Sequence, residues 1–129
     1  MGGRIDIVFS PDEFDPANRF THEAATRLSM NLRSRTMHYH DADRATEYTL
    51  ENSRMSIFVT ALPDGQPSNT IKHHLTFREH RYMANLVGAP KVPANEIVKS
   101  RDFLAKLAKR YNAHADVYDV GPLSPTLRR

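Results

Sequence analysis

The chain has 129 residues, a formal net charge of +3 and no cysteine. With 40% hydrophobic and 26% charged residues it reads as one globular domain with a modest core rather than a disordered chain. The missing thiols exclude disulfides, thiolate zinc sites and cysteine nucleophiles, and the mild positive charge leans toward an anionic partner without reaching histone-like levels.

The start, Met1-Gly-Gly-Arg-Ile-Asp, carries no apolar signal core, and no run of about 18 apolar residues occurs. The expectation is a soluble protein, most simply an intracellular one. Arg4 to Phe9 alternates and predicts a strand, closed by Ser10-Pro11-Asp12. Asp15 to Asn18 predicts a turn or short loop from its proline and Asx content. Ala25 to Arg35 places Leu28, Met30 and Leu32 on one face and Arg27, Ser29, Asn31, Arg33 and Arg35 on the other. That spacing of two predicts a strand. Helix is the rival, since Thr21-His-Glu-Ala resembles a capping start.

Met37 to Tyr39 continues or re-forms a strand, and His40 to Asp43 turns the chain. Arg44 to Leu50 and Arg54 to Leu62 predict two further strands. Pro63 to Asn69, with two prolines and a glycine, is a loop, and Thr70 to Tyr82 a strand that closes an antiparallel hairpin. Its Ile71, His73, Leu75 and Phe77 suit a core, while Lys72, His74, Thr76, Arg78, His80 and Tyr82 form a polar row. Ala94 to Tyr111 changes to helical period, with Ile97, Leu104, Leu107, Ala108 and Tyr111 on one face. Asp116 to Val120 is a strand or a second short helix, and Gly121 to Pro125 ends regular structure.

The sum is an α+β fold: an antiparallel meander of about five strands followed by one helix. One helix cannot cover both sheet faces, so one face stays open. Its apolar stripe exceeds what one edge contact needs, which predicts that a partner subunit shares the burial.

No catalytic motif emerges. His38 and His40 share a strand face, but no carboxylate cluster or His-Glu-x-x-His completes a metal site, so neither metal nor cofactor is expected. His74-Leu-Thr76 is half of a two-histidine phosphoesterase signature, and the later His114 is followed by Ala-Asp. No Gly-x-Ser-x-Gly turn and no phosphate-binding glycine loop is present.

Alternating polar residues on one strand usually mark only a solvated face. Here the pattern recurs on three: Arg27, Asn31, Arg33 and Arg35, then Arg54, then Lys72, His74, Thr76 and Arg78. With strands about 4.8 Å apart, such rows would merge into one positive platform. Its arginines and lysine would bind phosphates, Asn31 and Thr76 would read bases, and Tyr48 would stack on one.

The order of parts resembles the coat proteins of single-stranded RNA bacteriophages. The residues that carry the resemblance are the Arg27–Arg33 and Arg54–Leu62 strands, the Pro63–Pro67 loop, the Lys72–Met83 strand, the helix from Lys99 and the ending Asp119-Val-Gly-Pro-Leu123. The resemblance implies an N-terminal hairpin, a five-stranded antiparallel sheet and a C-terminal helix, interlocked in a homodimer with a continuous sheet. It also implies an icosahedral shell in a virion assembled in the bacterial cytoplasm, genomic RNA on the inner sheet face, and repression of replicase translation through an RNA hairpin. Glu47 and Glu79 depart from that pattern. The alternatives are a small dimeric nucleic-acid-binding regulator and a phosphoesterase-like enzyme using His74.

Overall fold

A computed structural model describes residues 2–9, 16–38, 44–61 and 80–118. In chain order these form β1 (Gly2–Phe9), α1 (Pro16–Arg27), β2 (Asn31–His38), β3 (Arg44–Glu51), β4 (Met55–Ala61), β5 (His80–Gly88), α2 (Ala94–Lys109) and β6 (His114–Tyr118). The strands make one antiparallel sheet in the order β2-β3-β4-β5-β1-β6.

The strands at β1, β3 and β4 form where alternation predicts them, and Met55–Ala61 alternates buried and less buried residues along its length. β4 and β5 pair antiparallel from Met55↔Gly88 to Ala61↔Tyr82, so the strand beside β4 is His80–Gly88, which shares only His80–Tyr82 with the predicted Thr70–Tyr82. The segments His40–Asp43, Pro63–Asn69 and Thr70–Glu79 lie outside the described residues.

Several expectations are corrected. Asp15–Asn18 is not simply a loop, because Pro16 opens α1, where its missing N–H costs no helical bond. Ala25–Arg35 is not one strand. The helix rival holds through Arg27, the chain turns at Leu28 and Ser29, and β2 begins at Asn31. The turn is a left-handed helix ending: Ser29 has φ 55°, Met30 N–H donates to the Ala25 carbonyl and Ser29 N–H to that of Thr26. An N-terminal hairpin is also absent among the described residues, since β1 pairs with β5 on one side and β6 on the other. The tail forms a strand, which brings the sheet to six strands among the described residues.

Both helices lie on one face of the sheet. Beneath them Ile5, Ile7 and Phe9 of β1, Ile57 of β4 and Leu86 of β5 are at most 1% exposed. Each such side chain contributes about 1.5–3 kcal/mol by leaving water. Phe20 of α1 meets Phe9 edge-on at 5.7 Å between ring centroids and Tyr111 at 6.2 Å. Thr21, the buried polar residue of α1, satisfies its hydroxyl by donating to the Ala17 carbonyl at 2.9 Å. Gly88 lets α2 approach closely, because a Cβ there would lie 2.7 Å from Ile97 Cδ1.

The predicted helix stripe is buried within its own chain. Ile97, Leu104, Leu107 and Ala108 are at most 2% exposed. The stripe is covered within its own chain, in part by α1, of which only Ala25–Arg27 falls in the segment read as strand, so it gives no ground for a partner subunit.

Candidate nucleic-acid interface

Among the described residues, nothing covers the sheet face away from the helices. Because Tyr48 and Leu50 face the core, Glu47, Thr49 and Glu51 point to the open side, and their β2 partners Arg35, Arg33 and Asn31 lie beside them. Asn31 and Arg33 thus occupy the face expected of them. Its described part is not a positive platform, however. Arg33 pairs with Glu51 at 3.1 Å, Arg35 with Glu47 at 3.8 Å and Arg4 with Asp6 at 2.9 Å. Among the described residues, Arg4, Arg33, Arg35 and Arg81 are balanced there by Asp6, Glu47, Glu51 and Asp116. Its centre is apolar, with Phe58 and Val87 exposed.

The other predicted residues do not join this face. Tyr48 is 3% exposed and lies under the helices, so its ring cannot stack on a base. Tyr82 likewise faces the core, 9% exposed, rather than standing in the polar row. Arg27 ends α1 and Arg54 sits in the β3–β4 turn, both on the helix side. Lys72, His74, Thr76 and Arg78 lie outside the described residues.

Arg27 and Arg54 nevertheless come together. With Leu28, Ser29, Met30, Asn52, Met55, Glu96 and Ser100 they line a half-open cleft of about 310 Å³. Arg54 grips Glu96 in a fork, Nε to Oε2 at 2.7 Å and Nη2 to Oε1 at 2.6 Å. That guanidinium holds the Glu96 carboxyl below its ordinary range and is itself pushed up. Behind the cleft Asn52 joins two turns: its Nδ2 donates to the Leu28 carbonyl at 3.3 Å, and its Oδ1 accepts from the Arg54 and Met55 N–H groups at 2.8 and 3.0 Å.

The cationic excess lies on the outer surface of the helices. Arg19 and Arg27 on α1, Lys99, Arg101, Lys106 and Lys109 on α2, and Arg110 at its end face three helical carboxylates. Arginine engages each carboxylate: Glu23 by Arg27 and Arg110, Glu96 by Arg54 and Asp102 by Arg101. Lys99, Lys106 and Lys109 are exposed and make no ion pair among the described residues. Their spacing puts them on one stripe about 15 Å long. The signal is present in the sequence as lysines at helical spacing, a period that strand alternation does not reveal.

The two helices are clasped by Glu23, which accepts a hydrogen bond from the Tyr111 hydroxyl, while the Arg19 guanidinium stands 5.4 Å from the centre of the Tyr111 ring. The bond to the Glu23 carboxylate, with burial second, raises the Tyr111 phenol above its ordinary value. A raised value in the fold means stabilisation that is complete below the unfolded tyrosine value, about 10, and is lost as pH rises through the folded one. Tyr111→Phe should therefore cost about 1 kcal/mol at neutral pH and flatten the alkaline limb of a stability–pH curve. Urea titrations from pH 7 to 11 check this, and an unchanged alkaline limb counts against the clasp.

Among the described residues no group of three or more histidine, aspartate or glutamate side chains could hold a metal, and no helix is long and apolar enough to cross a membrane. No protein-family model and no curated protein matches the sequence.

Proposed function

We propose that this chain is a nucleic-acid-binding protein that acts by binding rather than catalysis and grips phosphates through the outer surface of its helices. The observation that carries the reading is the stripe of Lys99, Lys106 and Lys109, without ion-pair partners among the described residues, beside Arg19 and Arg110. Electrostatic contact with phosphates supplies most non-specific affinity, and lysines not already neutralised supply most of that contact. The open sheet face, with its arginines opposed by carboxylates, is placed second for this reason.

The experiment is a salt titration of affinity for an oligonucleotide. Lys99→Ala, Lys106→Ala and Lys109→Ala combined should lower affinity at least tenfold at low salt and reduce the salt slope by about two to three counterions. Alanine is a good helix former and all three positions are exposed, so folding should persist. Arg33→Ala with Arg35→Ala should change affinity little. A triple variant that keeps the parent slope removes the helix surface from the reading, and a sheet-face variant that loses affinity restores the sheet platform.

The coat-protein reading is the narrower form of this proposal. It adds a homodimer, closed shells, a virion location and an RNA hairpin as ligand, and it rests on the order of parts in the sequence. Among the described residues no N-terminal hairpin forms and the α2 stripe is buried within its own chain, so the wider reading stands first. Electron microscopy of the purified protein separates them: uniform closed shells establish a coat, and dispersed particles remove it. The enzyme alternative rests on His74, outside the described residues, and no other observation favours it.

A further inference from the structure

The open sheet face carries a pattern that the phosphate-gripping surface does not use. On that side β4 presents Ser56, Phe58 and Thr60 and no charge, since Met55, Ile57, Val59 and Ala61 point to the core. Phe58 lies opposite Asn85 and Ser56 opposite Val87, so Phe58 and Val87 are diagonal neighbours across β4 and β5. They are 42% and 47% exposed although both stand on the central strands of the sheet. Charges surround that centre: Arg33 and Arg35 on β2, Glu47 and Glu51 on β3, and Asp116 on β6.

We propose that two copies of this chain pack these open faces together as a β-sandwich. The two-fold axis runs along the strands under β4 and β5, so that β2 of each copy lies over β6 of the other. The inference is independent of the nucleic-acid reading, because both helix surfaces stay on the outside of such a dimer.

The charges name a second copy as the occupant and choose its orientation. A two-fold axis across the strands would set each strand over its own copy, arginines of β2 on arginines and glutamates of β3 on glutamates, which is unfavourable. An axis along the strands sets the arginines of β2 over Asp116 and places β3 over β1, whose Arg4 and Asp6 balance each other. Arg33 and Arg35 keep 73% of their side chains exposed beside their glutamates, and Asp116 keeps 60% beside His114. Each therefore retains hydrogen-bonding capacity for a partner. A six-stranded face with strands about 4.8 Å apart and about seven residues long measures about 600 Å². A pair of such faces covers about 1,200 Å², the lower end for specific interfaces. Packed sheets stand about 10 Å apart, which lets Phe58 interdigitate with Val87 of the other copy.

Sedimentation equilibrium of the intact protein from about 1 to about 100 µM tests this, and a dimer should form with a dissociation constant of about 10 µM or tighter. Phe58→Glu puts a charge at the centre of the interface and should weaken the dimer at least tenfold. Arg35→Glu sets like charge over Asp116 and should weaken it at least fivefold, as should Asp116→Arg. The two changes combined should return affinity to within about twofold of the parent. Positions 35 and 116 lie on opposite edges of one sheet, so such a rescue arises only between copies. A parent protein that sediments as a monomer at every concentration overturns the proposal. So does a Phe58→Glu protein, shown to be folded by its amide spectrum, that associates like the parent, and so does a double variant that dimerises no better than the single ones. A monomeric parent that loses oligonucleotide affinity on Phe58→Glu gives the face to nucleic acid instead. The lysine variants should leave dimerisation within about twofold, so failure of either reading is visible without the other.

Discussion

Phe20→Ala will lower the unfolding free energy by about 3–5 kcal/mol, the largest single effect expected outside the backbone. Phe20 is 1% exposed and is the aromatic anchor by which α1 enters the core. Its ring lies edge-on to Phe9 and Tyr111, and Phe9 is edge-on to Tyr82 at 5.8 Å, so four rings run from the α2 end across the sheet. Truncation removes the transfer energy of one large side chain and leaves a void that fixed neighbours cannot fill. Phe20→Leu refills most of that volume and should cost less than half as much. Urea unfolding reads both. An alanine variant displaced by under 1 kcal/mol would mean that α1 is not docked as described.

Asn52→Ala should cost about 2–3 kcal/mol although Asn52 is only half-buried. Its side chain satisfies the N–H groups of Arg54 and Met55 and, on the other side, carbonyls at Leu28 and Ser29. Alanine strands both sets at once and loosens the turn after α1 from the turn before β4. Asn52→Asp separates the two sides. The carboxylate still accepts from the two N–H groups but sets a negative oxygen against two carbonyls. Its folded pKa should rise above the unfolded aspartate value of about 3.9, so its penalty is present at neutral pH and relieved as pH falls through the folded value. A stability–pH curve that does not converge toward the parent below about pH 4 would show that the amide donors contribute nothing.

These two residues also show what the sequence made legible. The strands β1, β3 and β4 and the helix α2 follow one period each and were readable. The error over Ala25–Arg35 has a physical origin. Leu28, Met30 and Leu32 are all partly buried against the core, but the first is in the turn after the helix, the second follows its left-handed end and the third opens a strand. The chain rounds the edge of one core while changing conformation, and the result has a spacing of two by coincidence. The true period of α1 is carried by Ala17, Phe20, Thr21, Ala24 and Ala25, mostly small side chains that give little amphipathic contrast.

The candidate site was legible only in its parts. Arg27 and Arg54 were singled out, but which face they occupy depended on the misread element. With Arg27 on a helix, both arginines move from the sheet platform to the cleft, where Arg54 grips Glu96, a residue with no motif of its own. Tyr48 shows the complementary error, since its row on β3 includes Leu50 and packs inward. Charge counting alone could not reveal that sheet arginines would be opposed by carboxylates while helix lysines would not.

The position of β1 sets the order in which the molecule can be completed during synthesis. Among the described strands β1 is made first, yet it fills a slot between β5 and β6, which are made last. β2 to β5 can pair with neighbours as they emerge, whereas β1 has no partner until about seventy more residues have been added, a delay of several seconds at about 5–20 residues per second. Throughout that interval Ile5, Ile7 and Phe9, fully buried in the finished protein, form an uncovered apolar strand. Closure of the sheet is thus a late, long-range event, and the nascent chain passes through a state in which β1 is open to any edge it meets.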